Sequence, residues 1–178
     1  MSYFIAEASV KDANKIAAIG WHSFEETFGN FFTDRANLHN HLQKHFTPEA
    51  IADTMADQQN RYYLCRQENT AAGFAKLKLD STNQLVLNNR QLELERIYFS
   101  SGFQGVGAAQ LLMKELLKEA VLLKAEVLWL RVYCKNEKAI RFYEKNGFVR
   151  TGIQNIFIGS QEFIFYVMST TLNPQSLQ

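Results

Sequence analysis

Gln104-Gly105-Val106-Gly107-Ala108-Ala109 is the stretch with the clearest chemical use. It stands where a strand pattern, Leu92 to Phe99, gives way through Ser100-Ser101-Gly102 to a helical repeat of Ala109, Leu112, Leu116 and Ala120. The first turn of a helix carries about four backbone N–H groups without intrahelical partners, and its macrodipole adds roughly half a positive charge. Small residues at Gly105, Gly107, Ala108 and Ala109 keep side chains clear, so a phosphate can sit on those amides. The same residues suit an ordinary close-packed turn, and spacing alone leaves both readings open. Two phosphate motifs are excluded. A P-loop needs Gly-Lys-Ser/Thr, and Gly107 is followed by Ala108 and Ala109. A dinucleotide turn needs GxGxxG/A after a first strand, and here Gln110 holds the last position, past the middle of the chain.

Two motifs in order carry a resemblance. Gln104-x-x-Gly107-x-Ala109 resembles the Gln/Arg-x-x-Gly-x-Gly/Ala signature of the GNAT (GCN5-related) N-acetyltransferases. Asn136-x-x-Ala139-x-x-x-Tyr143-x-x-x-Gly147-Phe148 resembles the second half of that family's cofactor site. The segments SFEETFG, LELERIYFSSGFQGVG and FYEKNGFVRTG are similar to bacterial polyamine (spermidine/spermine) N-acetyltransferases of the PaiA type. The likeness runs over most of the chain and is densest from Leu92 to Met168. It implies acetyl-CoA as the acyl-donor cosubstrate, with the pyrophosphate on Gln104, Gly105, Val106, Gly107, Ala108 and Ala109. It also implies a cofactor hydrogen bond from Asn136, beside that residue's role as helix cap. Ile97, Tyr98 and Phe99 would offer backbone groups to the pantetheine arm like an added strand, and one N–H there would serve the oxyanion.

Acetyl transfer to a primary amine has three needs: the amine must lose a proton, the oxyanion needs donors, and the departing thiolate needs a proton. An amine of pKa ~10.4 is neutral in only about one molecule in ~2,500 at pH 7, so a base is worth having. The resemblance points to Glu95 on the organising strand, acting through a water. The alternative is an exposed strand carboxylate, or one paired with Arg96 or Arg131. Glu93 shares that face by period-2 alternation, and the two would make an acidic patch for a polyamine. Tyr143 is the candidate general acid and a cofactor-site residue; as a plain helix tyrosine it would pack on the core. Glu25, Glu26 and Phe28 are candidates for the acceptor pocket, with Asp34 completing an acidic rim; solvated helix surface is the alternative for the carboxylates. His41 and His45 stand one helical turn apart, but nothing completes a ligand set, so no metal is expected and the helix histidines are read as solvated.

The expected function is therefore acetyl-CoA-dependent transfer of an acetyl group to a primary amine, a polyamine such as spermidine or spermine, directly in a ternary complex. The alternatives are an N-acetyltransferase for a peptide, protein or other small amine, and a non-catalytic acyl-CoA-binding sensor.

Bulk properties bound the rest. A chain of 178 residues with 47% hydrophobic and 21% charged residues is long enough for a core and reads as one domain, residues 1–172, with a tail at 173–178. A net charge of +1 gives no field for nucleic acid or an anionic membrane. Two distant cysteines, Cys65 and Cys134, and the lack of a signal-like start suggest reduced thiols and a cytoplasmic protein. A homodimer is open, with no distinctive interface patch. The patterns predict a strand at Tyr3 to Ala8, a helix from a Ser9/Asp12 capping box to Phe28, a helix capped by Thr33 to Phe46, and another from Thr47-Pro48 to about Gln59. Strands follow at Arg61 to Arg66 and Ala72 to Leu79, a short one at Leu85-Val86-Leu87, then the organising strand and its helix. A strand at Val127 to Tyr133, a helix at Glu137 to Asn146 and a hairpin about Gly159-Ser160 close the chain. This is an α/β (α+β) pattern: a mixed central sheet with helices on both faces. The resemblance makes it a GNAT fold whose strands ending at Phe99 and Tyr133 splay apart.

Overall fold

The computed structural model describes residues 2–105 and 107–173, so Val106 and tail positions 174–178 lie outside the described residues. In chain order the elements are β1 (Tyr3–Glu7), α1 (Ala13–Phe28), α2 (Arg35–Phe46), α3 (Pro48–Ala56), β2 (Asn60–Gln67), β3 (Thr70–Lys78) and β4 (Gln91–Phe99). There follow α4 (Ala108–Leu122), β5 (Val127–Tyr133), α5 (Glu137–Lys145), β6 (Val149–Ile158) and β7 (Gln161–Thr171). The strands form one mixed sheet in the order β1-β2-β3-β4-β5-β7-β6. Among the described residues β4–β5 is the parallel pair, as the intervening α4 requires, and the other neighbours are antiparallel. No helix among them is long and apolar enough to cross a membrane.

Local signals explain most boundaries. The Ser9 N–H donates to the Asp12 carboxylate at 3.1 Å, but Val10–Asp12 form a 3₁₀ turn, so regular α1 begins at Ala13. Thr47 Oγ1 accepts from the Ala50 N–H and Pro48 holds the first position of α3. That helix stops at Ala56, short of Gln59, because Asp57 turns its carboxylate onto the Gln59 N–H at 2.9 Å. The cap of α2 is Asp34, not Thr33: Asp34 accepts from the Ala36 N–H at 2.8 Å, while the Thr33 N–H and hydroxyl go to Gln161. Leu85-Val86-Leu87 forms no strand. Asn83 accepts from the Leu85 N–H in a tight turn, and Val86 is buried with Val127, Trp129 and Val167.

The core lies on both faces of the sheet. Alternation along β2 sends Tyr62 and Leu64 to α1 and α3, with Ile16, Ile19, Ile51 and Phe74. It sends Tyr63 and Cys65 to the other face, where Leu112, Met113 and Leu116 of α4 pack on Leu77, Leu92 and Leu128. Burying each such side chain is worth ~1.5–3 kcal/mol, so α4 is fixed on the sheet by its apolar face and its N-terminus is held in place.

The sheet opens at one point. β4 and β5 pair only at Gln91↔Val127, Leu92↔Leu128 and Glu93↔Trp129, although the strands run on to Phe99 and Tyr133. Meanwhile β3 pairs Lys76 with Arg96 and Leu77 with Leu94, which leaves Glu95 as an extra residue in β4. A β-bulge bends its strand and increases its twist. The bulge stands just past the last β4–β5 pair, so it turns β4 away from β5 and makes the expected splay.

Candidate active site

A groove of about 1070 Å³ runs through this opening. One end lies at the turn before α4 and at α5; the other lies between α1, α2 and the β6–β7 hairpin. The backbone of Ile97, Tyr98 and Phe99 forms one wall, with β3 on its far edge and no strand on its near edge. The Phe99 carbonyl accepts from Ser23 Oγ at 3.0 Å and Gln104 Nε2 at 3.3 Å, which ties the end of β4 to α1 and to the following turn. At the crossing of β3 and β4, a Cβ on Gly73 would stand 2.3 Å from the Phe99 ring, so the glycine is what lets that ring seat.

The turn before α4 has the form its sequence implies. Gly105 and Gly107 take φ of 77° and 86°, and no heavy atom lies within 4 Å of where a Cβ would be on either. Among the described residues the first backbone bond into α4 is Leu111 N–H to Gly107 C=O at 3.1 Å, which leaves the amides of Ala108, Ala109 and Gln110 ahead of the helix's own ladder. Gln104, Gly105, Gly107, Ala109 and Gln110 line the groove; Ala108, expected among them, is fully buried in the core and does not reach it. Val106 lies outside the described residues. Lys138 of α5 donates to Gln104 Oε1 at 2.7 Å, and Gln110 donates to Asn146 Oδ1 at 2.6 Å, so α4 and α5 are joined across the mouth. With Arg141 and Lys145 also on the groove, this mouth is cationic and open where a pyrophosphate would lie.

Asn136 caps α5, its Oδ1 accepting from the Ala139 N–H at 3.2 Å, and it lines the groove. Tyr143 stands one face along the same helix, 8% exposed and on the groove wall. Burial raises its phenol well above the ordinary tyrosine value, with Tyr98 a lesser cause. The hydroxyl therefore keeps its proton at neutral pH.

The carboxylates are arranged otherwise than expected. Glu95 lies on the groove, but its partner is Lys76, at 2.5 Å, rather than Arg96 or Arg131. Burial pushes its carboxyl up; Arg96 and Lys76 outweigh that and hold it below the ordinary carboxylate range. Glu93 is 2% exposed and does not reach the groove: Arg131 Nη2 and Ser81 Oγ donate to its two oxygens, each at 2.6 Å. The two carboxylates thus form no joint acidic patch, because each is matched by its own cation. Glu25 and Glu26 are exposed on α1 away from the groove, and Asp34 is occupied as a cap. No acidic rim is assembled. Phe28 does line the groove, packed on Phe24 and Tyr133.

The α1–α2 end of the groove is roofed by the hairpin. Gln161 donates to the Phe31 carbonyl at 2.6 Å and Asn37 donates to Ser160 Oγ at 3.1 Å. His41 and His45 are half-buried on this wall, their rings 4.5 Å apart, and not solvated as their sequence setting suggests. Their pKa values are lowered to about 4, first by burial and then by neighbouring cations, Arg96 and Lys44 among them. The gathering of these residues at one end of the groove is not apparent from the sequence. The available signal is the position of His41 and His45, each just before a residue of the buried stripe Leu38, Leu42 and Phe46. No set of three or more His, Cys, Asp or Glu placed to hold a metal occurs among the described residues.

A mixed sheet opened between parallel neighbours, with a free helix N-terminus at the mouth and a phenol and a carboxylate on the walls, is the architecture of an acyltransferase with a phosphate-bearing donor. Residues 21–148 match the Acetyltransferase (GNAT) family, and the chain belongs to it. An enzyme of this family takes its acetyl group from acetyl-CoA. An uncharacterized N-acetyltransferase of Lactobacillus delbrueckii subsp. lactis is 29% identical over 156 residues, covering 86% of this chain and 88% of its own. The solved PaiA N-acetyltransferase of Thermoplasma acidophilum, in complex with coenzyme A, has a TM-score of 0.75 at 19% identity, over 96% of this chain and 99% of its own. A spermidine N-acetyltransferase chimera from Vibrio cholerae has a TM-score of 0.69 at 18% identity, over 97% and 96%.

Proposed function

We propose that this enzyme moves the acetyl group of acetyl-CoA directly to a primary amine, with both substrates in the groove at once. The observation that carries this is the continuity of the groove: it joins the turn before α4 to the α1–α2 end through the β4–β5 opening, with Glu95 and Tyr143 both on its walls. The amides of Ala109 and Gln110 and the cations of α5 would hold the donor's phosphates. Backbone of Ile97 to Phe99 would hold the pantetheine arm and the thioester oxygen. Glu95 would take a proton from the amine through a water, and Tyr143 would give one to the sulfur as the carbon–sulfur bond breaks. From the ammonium two protons leave the nitrogen as the carbon–nitrogen bond forms and the carbon–sulfur bond breaks: one goes to solvent by way of Glu95, and the other makes up for the one that Tyr143 gives to CoA.

The likeness to a spermidine N-acetyltransferase suggests a polyamine acceptor. The carboxylates that a polycation would need do not support it here: Glu25 and Glu26 face away from the groove and Glu93 is taken by Arg131. The test is CoA release from acetyl-CoA against spermidine, spermine, putrescine, short peptides and amino acids. Saturable turnover with any amine is the expected result. Tight acetyl-CoA binding with no turnover on any of them would instead make the protein a sensor.

A further inference from the structure

The acceptor end of the groove is built for negative charge. Lys44, Arg96, His41 and His45 meet there. Arg96 Nη1 donates to the His45 carbonyl at 3.3 Å and its guanidinium lies 4.7 Å from the centre of the Phe46 ring. These contacts fix the plane of the guanidinium while engaging a single nitrogen. Among the described residues no ion pair joins Lys44 or Arg96 to a carboxylate. Glu95 is the one carboxylate among the described residues lining the groove, and the buried ammonium of Lys76 already matches it. A second ammonium brought to this corner meets the held guanidinium of Arg96, the exposed ammonium of Lys44 and no spare anion.

We infer that the acceptor is an amine that also bears an oxyanion, a carboxylate or phosphate-type group, which Arg96 and Lys44 bind while the amino group lies toward Glu95. The imidazoles of His41 and His45 supply neutral N–H donors beside that oxyanion. Their pKa values near 4 keep them uncharged at neutral pH. The donor's own phosphates have separate cations at the other end, Lys138, Arg141 and Lys145. This inference rests on the acetyl-transfer reading and narrows its substrate class to amino-acid-like acceptors.

The test works without the natural acceptor in hand. CoA is joined through its sulfur and an acetyl bridge to the nitrogen of γ-aminobutyrate, butylamine or 1,3-diaminopropane. The conjugates differ only in the far end: carboxylate, methyl or ammonium. Calorimetric titration should rank them in that order, the carboxylate about tenfold or more tighter than the ammonium, the scale of one hydrogen bond to a charged group. Arg96→Ala should collapse the spread. So should Lys44→Ala, a change at an exposed position that keeps the test open should Arg96→Ala fail to fold. An ammonium conjugate that binds as tightly as the carboxylate overturns the inference and leaves acetyl transfer standing. Weaker binding of CoA itself in the Lys44 variant also overturns it, since the corner would then serve the donor. Failure of CoA to bind the parent protein would sink acetyl transfer, and this inference with it.

Discussion

Lys76 Nζ lies 2.5 Å from Glu95 Oε2, with the lysine side chain 5% exposed and the glutamate 25%. The partners respond in different ways. Burial lowers the Lys76 ammonium and Glu95 only partly offsets this; burial raises the Glu95 carboxyl and Arg96 with Lys76 more than offsets it. Glu95 faces the cations Arg96, Lys76 and Lys78, whereas Lys76 faces the Glu95 carboxylate and the like charges of Arg96 and Lys78, so attraction wins at the carboxylate and desolvation at the ammonium. Lys76→Met should therefore leave the Glu95 carboxylate without its ion-pair partner, with Arg96 still nearby, and cost ~2 kcal/mol at pH 7. A depressed carboxyl contributes stability above its unfolded value, lost as pH falls through the folded one. The variant's deficit should accordingly shrink toward about pH 4.5, where the freed carboxyl protonates. Denaturant unfolding at both pH values checks this; an equal deficit at each would show that the pair is not the cause.

Glu95 is ionised at working pH because its carboxyl is held low. Replacement by Gln should lower kcat/KM by ~10²-fold, within the span of general base catalysis. Because the group titrates below the ordinary carboxylate range, the parent enzyme should show no acid limb from it above about pH 4.5. A variant with parental kcat/KM would remove Glu95 from the chemistry and leave it as the bulge residue that opens the sheet.

Tyr143→Phe should lower kcat more than tenfold and leave acetyl-CoA affinity nearly unchanged, since the ring stays and only the proton is lost. The raised phenol also means no alkaline limb from this residue below its ordinary value of about 10. Single-turnover rates with calorimetric Kd values separate the two effects; an unchanged rate would assign the final proton to solvent.

Gly107→Glu places a carboxylate in the open space before the α4 amides, at a φ of 86° that side chains resist. Acetyl-CoA binding should fall below detection. Gly107→Ala, which adds the strain without the charge, should cost ~1 kcal/mol of stability and retain measurable binding. Unchanged acetyl-CoA affinity in the glutamate variant would put the phosphates elsewhere.

What is legible in the sequence is local. Caps, helix periods and the paired motifs depend on residues a few positions apart, so the turn at Gln104–Ala109, the Asn136 cap and the strand at Val127–Tyr133 follow from pattern. The features that do not follow depend on distant partners. Glu93 and Glu95 look like one alternating face, but the bulge at Glu95 and the cations Lys76 and Arg131, from β3 and β5, set them apart. Thr33 and Asp34 are both of capping type, and it is Gln161, on the hairpin, that takes Thr33. Glu25 and Glu26 fall on the solvent side of α1, and no sequence signal shows which side of that helix meets the groove.

The pair His41 and His45 makes a prediction of defined sign. In the folded protein both titrate at about 4, against an ordinary histidine value of 6.5, with burial the first cause. The groups facing His41 are His45, Arg96 and Lys44; those facing His45 are Arg96, Lys44, Lys76 and, with opposite effect, Glu95. Between about pH 6.5 and 4 the unfolded chain binds protons that the folded one refuses, so stability falls as pH falls through that window. His41→Gln with His45→Gln should flatten this slope, so Tm changes less between pH 7 and pH 5. His41 stacks on Phe24 at 4.5 Å, so the double variant should also start from a lower Tm at pH 7. The slope and not the offset is the readout: a lower Tm with the parental pH dependence would mean that the imidazoles contribute packing alone and that other groups take up the protons.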